Sequence, residues 1–123
     1  MIQVGRNSPY TGVGYNMVGR TPTVRKLGAI LQRGDLYLGN DSGSFHVASA
    51  VGSKCMILFG STDPNSYIHN TTKEMAIYNS ECHGCYNRGD TSVIGGGCSR
   101  GDSICMKLDT DVVINAVGMM IGG

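Results

Sequence analysis

Apolar positions follow two different spacings along the chain, and the first half shows both. Apolar residues recur at helical spacing between residues 22 and 33, which predicts a helix with Thr21 as its N-cap. Short unbroken apolar runs follow, and they predict strands at residues 35–39, 54–59 and 74–78. The first of these strands is expected to be buried and parallel to its neighbour.

Two further helices are predicted from the pattern. Small residues at 45–51 predict a short helix, and residues 109–120 predict a closing helix with a core face of Val112, Val113, Ala116, Val117 and Met120. Residues 1–21 are rich in glycine and are expected to form a loop or the remnant of an upstream element. A turn-rich loop is expected at 61–70. The alternation of helices and strands predicts an α/β fold with a partial Rossmann-like parallel sheet.

Composition narrows the class of protein. The chain has 123 residues, of which 41% are hydrophobic and 15% charged, as expected for one globular domain. A formal net charge of +1 without a basic run disfavours nucleic-acid binding. The sequence contains no apolar stretch of transmembrane length and no signal peptide, so we expect a cytoplasmic protein.

The segment Asp41-Ser42-Gly43 lies between a predicted strand and a predicted helix. The free amides at a helix N-terminus can bind phosphate, and Gly43 lets a phosphate approach the backbone closely. His46 lies in the first helical turn, where it can donate to a diphosphate oxygen. Asp41 would repel phosphate, so we expect it to cap the helix or to accept sugar hydroxyls. The local alternative is that the whole segment is only a helix cap.

Residues 18–64 resemble the C-terminal signature of glycosyltransferase family 9, which includes the heptosyltransferases of lipopolysaccharide biosynthesis and the bacterial autotransporter heptosyltransferases. The matching residues are Gly19-Arg20-Thr21, Asp41-Ser42-Gly43, His46, Ala48, Ala50, Phe59-Gly60 and Thr62-Asp63-Pro64. Ser61 stands where the family usually has proline.

This resemblance implies the C-terminal half of a GT-B fold that binds a nucleotide-diphosphate sugar such as ADP-heptose. The donor-binding residues that it implies are Asp41, Ser42, Gly43 and His46, with Thr21 and Thr62 as weaker candidates at the cleft rim. The family's acceptor domain, a phosphate-binding lysine and the catalytic aspartate have no counterpart here. The catalytic residues are therefore unknown, and turnover would need an acceptor-domain chain or a homo-oligomer.

Four cysteines follow the phosphate-binding segment: Cys82, Cys85, Cys98 and Cys105. Their spacing is compatible with a structural zinc or iron site, whereas no organic cofactor is expected. Two disulfides or unligated thiols are the alternatives. The autotransporter heptosyltransferases carry a similar Cys-His-x-Cys-aromatic-Asn segment, which favours the metal site.

Two other residues have no role in this scheme. Cys55 lies in a predicted strand and is expected to be buried, and His69 is expected on the surface of a polar loop.

The predicted organisation has three parts: a nucleotide-sugar-binding unit at 1–79, the four-cysteine metal knuckle at 80–107 and a closing helix at 108–123. The favoured function is that of a glycosyltransferase fragment that binds a nucleotide sugar for transfer to an acceptor hydroxyl. The alternatives are a non-catalytic metal-knuckle interaction module and an inactive truncated gene product.

Overall fold

The computed structural model describes residues 1–69 and 72–122. Asn70, the end of the loop predicted at 61–70, and Gly123, the end of the predicted closing helix, lie outside the described residues. The strands are β1 (Ile2–Gln3), β2 (Tyr15–Asn16), β3 (Tyr37–Asn40), β4 (Cys55–Leu58) and β5 (Glu74–Ile77). The helices are α1 (Val24–Arg33), α2 (Gly43–Ala50), α3 (Pro64–Tyr67) and α4 (Thr110–Gly122), with three short 3₁₀ helices at Tyr86–Arg88, Thr91–Gly95 and Ile104–Met106.

The main sheet has three parallel strands in the order β3-β4-β5. Gly39 pairs with Ile57, and Ile57 pairs with Ala76. Helix α1 precedes β3, and helix α2 connects β3 to β4. The predicted α/β class with a parallel sheet is therefore confirmed. Residues 1–21 are not only a loop, because β1 and β2 form a second, two-stranded parallel sheet within them.

Helix α1 begins later than the sequence pattern predicts. Its N-cap is Thr23, whose hydroxyl accepts a hydrogen bond from the Lys26 amide at 3.2 Å. The prediction of Thr21 as the cap is wrong, because the helix begins at Val24 and it is the Thr23 hydroxyl that accepts from an amide of its first turn.

A glycine sets the packing of α1 against α2. A Cβ atom added at Gly28 would lie 3.3 Å from Val51 Cγ1 and 3.7 Å from Val47 Cγ1. Glycine inside a helix costs about 1 kcal/mol relative to alanine. The missing side chain at Gly28 allows the two helices to approach closely, and a larger residue would push them apart.

The core is built from the central strand and the helix beside it. Phe45 and Ala48 of α2 and Cys55 and Ile57 of β4 are fully buried, and Phe59 closes the core just past β4. The predicted burial of Cys55 is confirmed. By contrast, β3 is not the buried strand that was predicted, because it lies at the sheet edge and leaves Leu38 and Asn40 exposed.

The closing helix packs less extensively than its apolar pattern predicts. Ala116 is its one buried residue among those described, whereas Val112 is exposed. The core face is therefore smaller than expected: Val113, Val117 and Met120 are only partly buried. Lys54 Nζ donates a hydrogen bond to the Met120 carbonyl at 3.3 Å. No helix in 1–69 or 72–122 has the length and apolar character needed to cross a membrane.

The position of Ile57 at the centre of the sheet gives a graded test of this core. We expect Ile57→Val to lower the free energy of unfolding by about 0.5–1.5 kcal/mol and Ile57→Ala by about 2–5 kcal/mol, because the larger truncation leaves a larger cavity. Urea denaturation measures both. Ile114→Ala is the control, because Ile114 is exposed and its truncation should change stability by less than about 0.5 kcal/mol. Equal losses at Ile57 and Ile114 would contradict this packing.

Candidate functional site

The amino end of α2 is open to solvent at the carboxyl end of β3. Only Asp41 and Ser42 separate the last strand residue, Asn40, from Gly43, the first helical residue. Gly43 is exposed, and a Cβ atom added to it would meet nothing within 4 Å. Backbone groups at this end are therefore accessible to a ligand.

Ser42, and not Asp41, is the N-cap of α2. Its backbone is extended and its side chain makes no capping hydrogen bond. The prediction that Asp41 caps the helix is wrong, because Asp41 lies one residue too early. The Phe45 amide donates to the Ser42 carbonyl at 3.1 Å. The Gly43 and Ser44 amides precede it at the start of the helix, where the cap side chain does not accept from them, so these two amides can donate to an anion.

Asp41 and His46 face each other across this end of the helix. Asp41 Oδ1 lies 3.7 Å from His46 Nε2, and the two side chains are 16% and 44% exposed. Behind them, the Ser42 hydroxyl lies 3.4 Å from the hydroxyl of Tyr37. Burial raises the pKa of Tyr37, and the hydrogen bond with Ser42 opposes that shift. Tyr37 is therefore a neutral hydrogen-bonding partner for Ser42.

The two weaker candidates lie on different elements. Asn40 pairs with Leu58 in parallel strands, so the Asp41 segment and the turn after β4 both lie at the carboxyl end of the sheet. Thr62 lies on that turn and is partly buried, one residue before Asp63, whose side chain caps α3 by accepting from the Asn65 amide at 3.0 Å. Thr21 is partly buried and precedes the cap of α1 by two residues.

A second imidazole, which the sequence pattern did not indicate, completes the site. His69 is exposed, as expected, but its Nε2 atom lies 3.0 Å from His46 Nδ1. Its ring stacks on Phe45 with centroids 5.8 Å apart. The sequence feature that could have indicated this contact is Asp63-Pro64, which is typical of the start of a helix. The short helix α3 that it begins occupies part of the predicted loop and directs His69 back towards α2.

The four-cysteine segment packs on the same β4 turn. The Gly84 amide donates to the Gly60 carbonyl at 3.0 Å, and the Tyr86 amide donates to the Ser61 carbonyl at 2.9 Å. The Asp63 amide donates to the side-chain oxygen of Asn87 at 2.8 Å. The Cys82–Cys85 turn is thereby attached to the segment that carries Thr62.

The cysteines differ in their electrostatic surroundings, and all five are free thiols. Backbone amides of Ser103, Gly101 and Arg100 lower the pKa of Cys98. Burial raises the pKa of Cys105, and so do the neighbouring Cys82, Cys85 and Cys98. Cys105 is therefore within electrostatic range of the other three thiols of the predicted metal set. Burial raises the pKa of Cys55 to about 11, which fits a thiol of the core.

These thiols have the chemistry of a zinc or iron site but not its geometry. In the part of the chain that the structure describes, no three histidine, cysteine, aspartate or glutamate side chains are arranged so that they could hold a metal ion. The donor set fits such an ion, since thiolates are preferred zinc and iron ligands. Binding of a metal by these four thiols would therefore require their side chains to rearrange.

The sequence was also compared with known proteins. Comparisons with curated proteins and with solved structures gave no significant match. The model of glycosyltransferase family 9 (heptosyltransferase) matches residues 6–92, which is more than half of the chain. The matched range contains the Asp41–His46 segment, the Thr62 turn and His69. The chain therefore belongs to glycosyltransferase family 9.

Proposed function

We propose that this chain binds the diphosphate of a nucleotide-sugar donor at the amino end of α2, as the donor-binding half of a GT-B glycosyltransferase. The observation that carries the proposal is the open end of α2, where Gly43 is exposed and no side chain caps the first amides. This end lies at the carboxyl edge of a parallel sheet, where α/β proteins bind their ligands. An ADP-heptose-like donor is the substrate that the family suggests.

Each residue of the site has a chemical role in this proposal. The amides at the start of α2 would donate to phosphate oxygens, with the helix dipole adding a favourable field. The imidazole of His46 would donate to the same diphosphate and stabilise it as a leaving group. The Asp41 carboxylate would repel phosphate. Its role would instead be to accept hydrogen bonds from hydroxyl groups of the sugar.

Transfer to an acceptor needs a base that this proposal does not assign to the chain. The developing charge on the donor lies on the diphosphate, which the α2 end would stabilise. Activation of the acceptor hydroxyl would fall to an acceptor-domain chain or to a second copy. The chain alone is expected to bind ADP or an ADP-sugar without turning it over.

Gly43→Leu tests the phosphate contact without disturbing the core, because there is open space where its side chain would begin. We expect ADP affinity in calorimetric titration to fall at least about tenfold as the leucine covers the amides. Gly118→Leu is the matched control, since Gly118 is also exposed, helical and without neighbours at its Cβ position. It should leave ADP affinity unchanged.

A His46→Ala variant should also weaken ADP binding and leave adenosine binding unaffected, because the base and ribose do not contact this imidazole in the proposal. Equal ADP affinity in the wild type, Gly43→Leu and His46→Ala would show that the diphosphate does not bind at α2. The same conclusion would follow if Gly118→Leu weakened binding as much as Gly43→Leu.

We also propose that Cys82, Cys85, Cys98 and Cys105 hold a structural zinc or iron ion. Support comes from the donor set and from the amides that surround the Cys98 sulfur. A bound ion would crosslink the 80–107 segment and so hold the β4 turn, to which Gly84 and Tyr86 are hydrogen-bonded. The metal would act as a brace for the rim of the donor site and would take no part in sugar transfer.

Elemental analysis of the purified chain tests the metal site. We expect about one zinc or iron per chain, in line with one four-thiolate site. We expect Cys85→Ser to lose that metal and to unfold at a lower temperature. Cys55→Ala is the control, because Cys55 is buried in the sheet core and its loss should leave the metal content unchanged. Metal-free wild-type protein that is as stable as protein supplied with zinc or iron would overturn the proposal.

A further inference from the structure

The two imidazoles of the site are joined by one hydrogen bond. His46 Nδ1 and His69 Nε2 lie 3.0 Å apart. A hydrogen bond between two neutral rings needs an N–H on one nitrogen and a lone pair on the other. The bond therefore ties the protonation pattern of one ring to that of the other.

His69 is held in place independently of His46. Its backbone amide donates to Glu74 Oε1 at 2.8 Å, and Glu74 Oε2 accepts from the Ser49 hydroxyl at 2.8 Å. Glu74 is only 8% exposed, so these contacts are shielded from water. The His69 ring also stacks on Phe45, with an interplanar angle of 23°. His69 is thus fixed by β5, α2 and the core, and can position a neighbour.

The position of Asp41 selects between the two possible arrangements. His46 Nε2 lies 3.7 Å from Asp41 Oδ1, so an N–H on Nε2 is favoured and a lone pair there would be repelled. Nδ1 of His46 then carries the lone pair. It follows that His69 donates from Nε2 and His46 accepts.

We propose that His69 is a positioning residue that holds His46 in the tautomer with its proton on Nε2. That N–H lies beside Asp41 at the amino end of α2. There, an oxygen of the nucleotide-sugar diphosphate can accept a hydrogen bond from it. The ligand in this inference rests on the proposed function, whereas the tautomer is a property of the ligand-free chain. His69 itself need not touch the donor.

Nitrogen NMR of the 123-residue chain tests the assignment directly. In alkaline buffer, where both rings are neutral, we expect a proton on His46 Nε2, none on His46 Nδ1 and a proton on His69 Nε2. A nitrogen–nitrogen coupling across the hydrogen bond should connect His69 Nε2 with His46 Nδ1. A proton on His46 Nδ1, or the absence of the coupling, would overturn the proposal.

Two substitutions separate positioning from packing. His69→Phe keeps a ring on Phe45 but removes the donor, and we expect ADP affinity to fall about three- to tenfold, as for loss of one hydrogen bond. His69→Gln keeps an N–H at a similar reach and should retain most of the affinity. Equal affinity of His69→Phe and wild type, or equal losses in both variants, would contradict a role that depends on the hydrogen bond.

The two proposals fail in different ways. Wild-type protein that shows the coupling but does not bind ADP would overturn the proposed function and support the His46–His69 assignment. Protein that binds ADP through His46 but carries the His46 proton on Nδ1 would overturn the positioning role alone.

Discussion

Burial of Phe45 in the first turn of α2 is the interaction on which the rest of the site depends. Phe45 is fully buried and packs within the core that includes Cys55 and Ile57. This contact fixes where α2 begins and so directs its first amides outwards at the sheet edge. The same ring supports both imidazoles, since His46 and His69 lie 5.0 and 5.8 Å from it between centroids. A core residue therefore determines the geometry of a surface site.

The β4 turn connects the site to the cysteine segment. Phe59 closes the core, and the next residues, Gly60 to Asp63, form hydrogen bonds with residues 84–87. A Cβ atom at Gly60 would lie 3.1 Å from Met106 Sδ and 3.8 Å from Cys105 Sγ, so the later cysteine loop also packs here. A movement of the cysteine segment would therefore displace the turn that carries Thr62, at the rim of the donor site, because the two segments are directly hydrogen-bonded.

Much of the fold follows from local sequence patterns, because the strands are short apolar runs and α2 joins directly to β3. Asp41 to His46 could be placed from that order alone. Long-range contacts explain what was missed. Leu38 is exposed because β3 is an edge strand of the three-stranded sheet. How much of α4 is buried depends on which other parts of the chain pack against it, and its own apolar pattern does not contain that information. His69 belongs to the site only because α3 and Glu74 return the chain to α2, a contact between residues 23 positions apart.

The central claim is that the amides at the start of α2 bind a diphosphate, and it is tested most directly by following backbone amide resonances during titration with ADP. We expect the largest shifts at Gly43 and Ser44, with adenosine producing no comparable change there. The claim would be contradicted if saturating ADP left both resonances in place, or if adenosine moved them as far as ADP does.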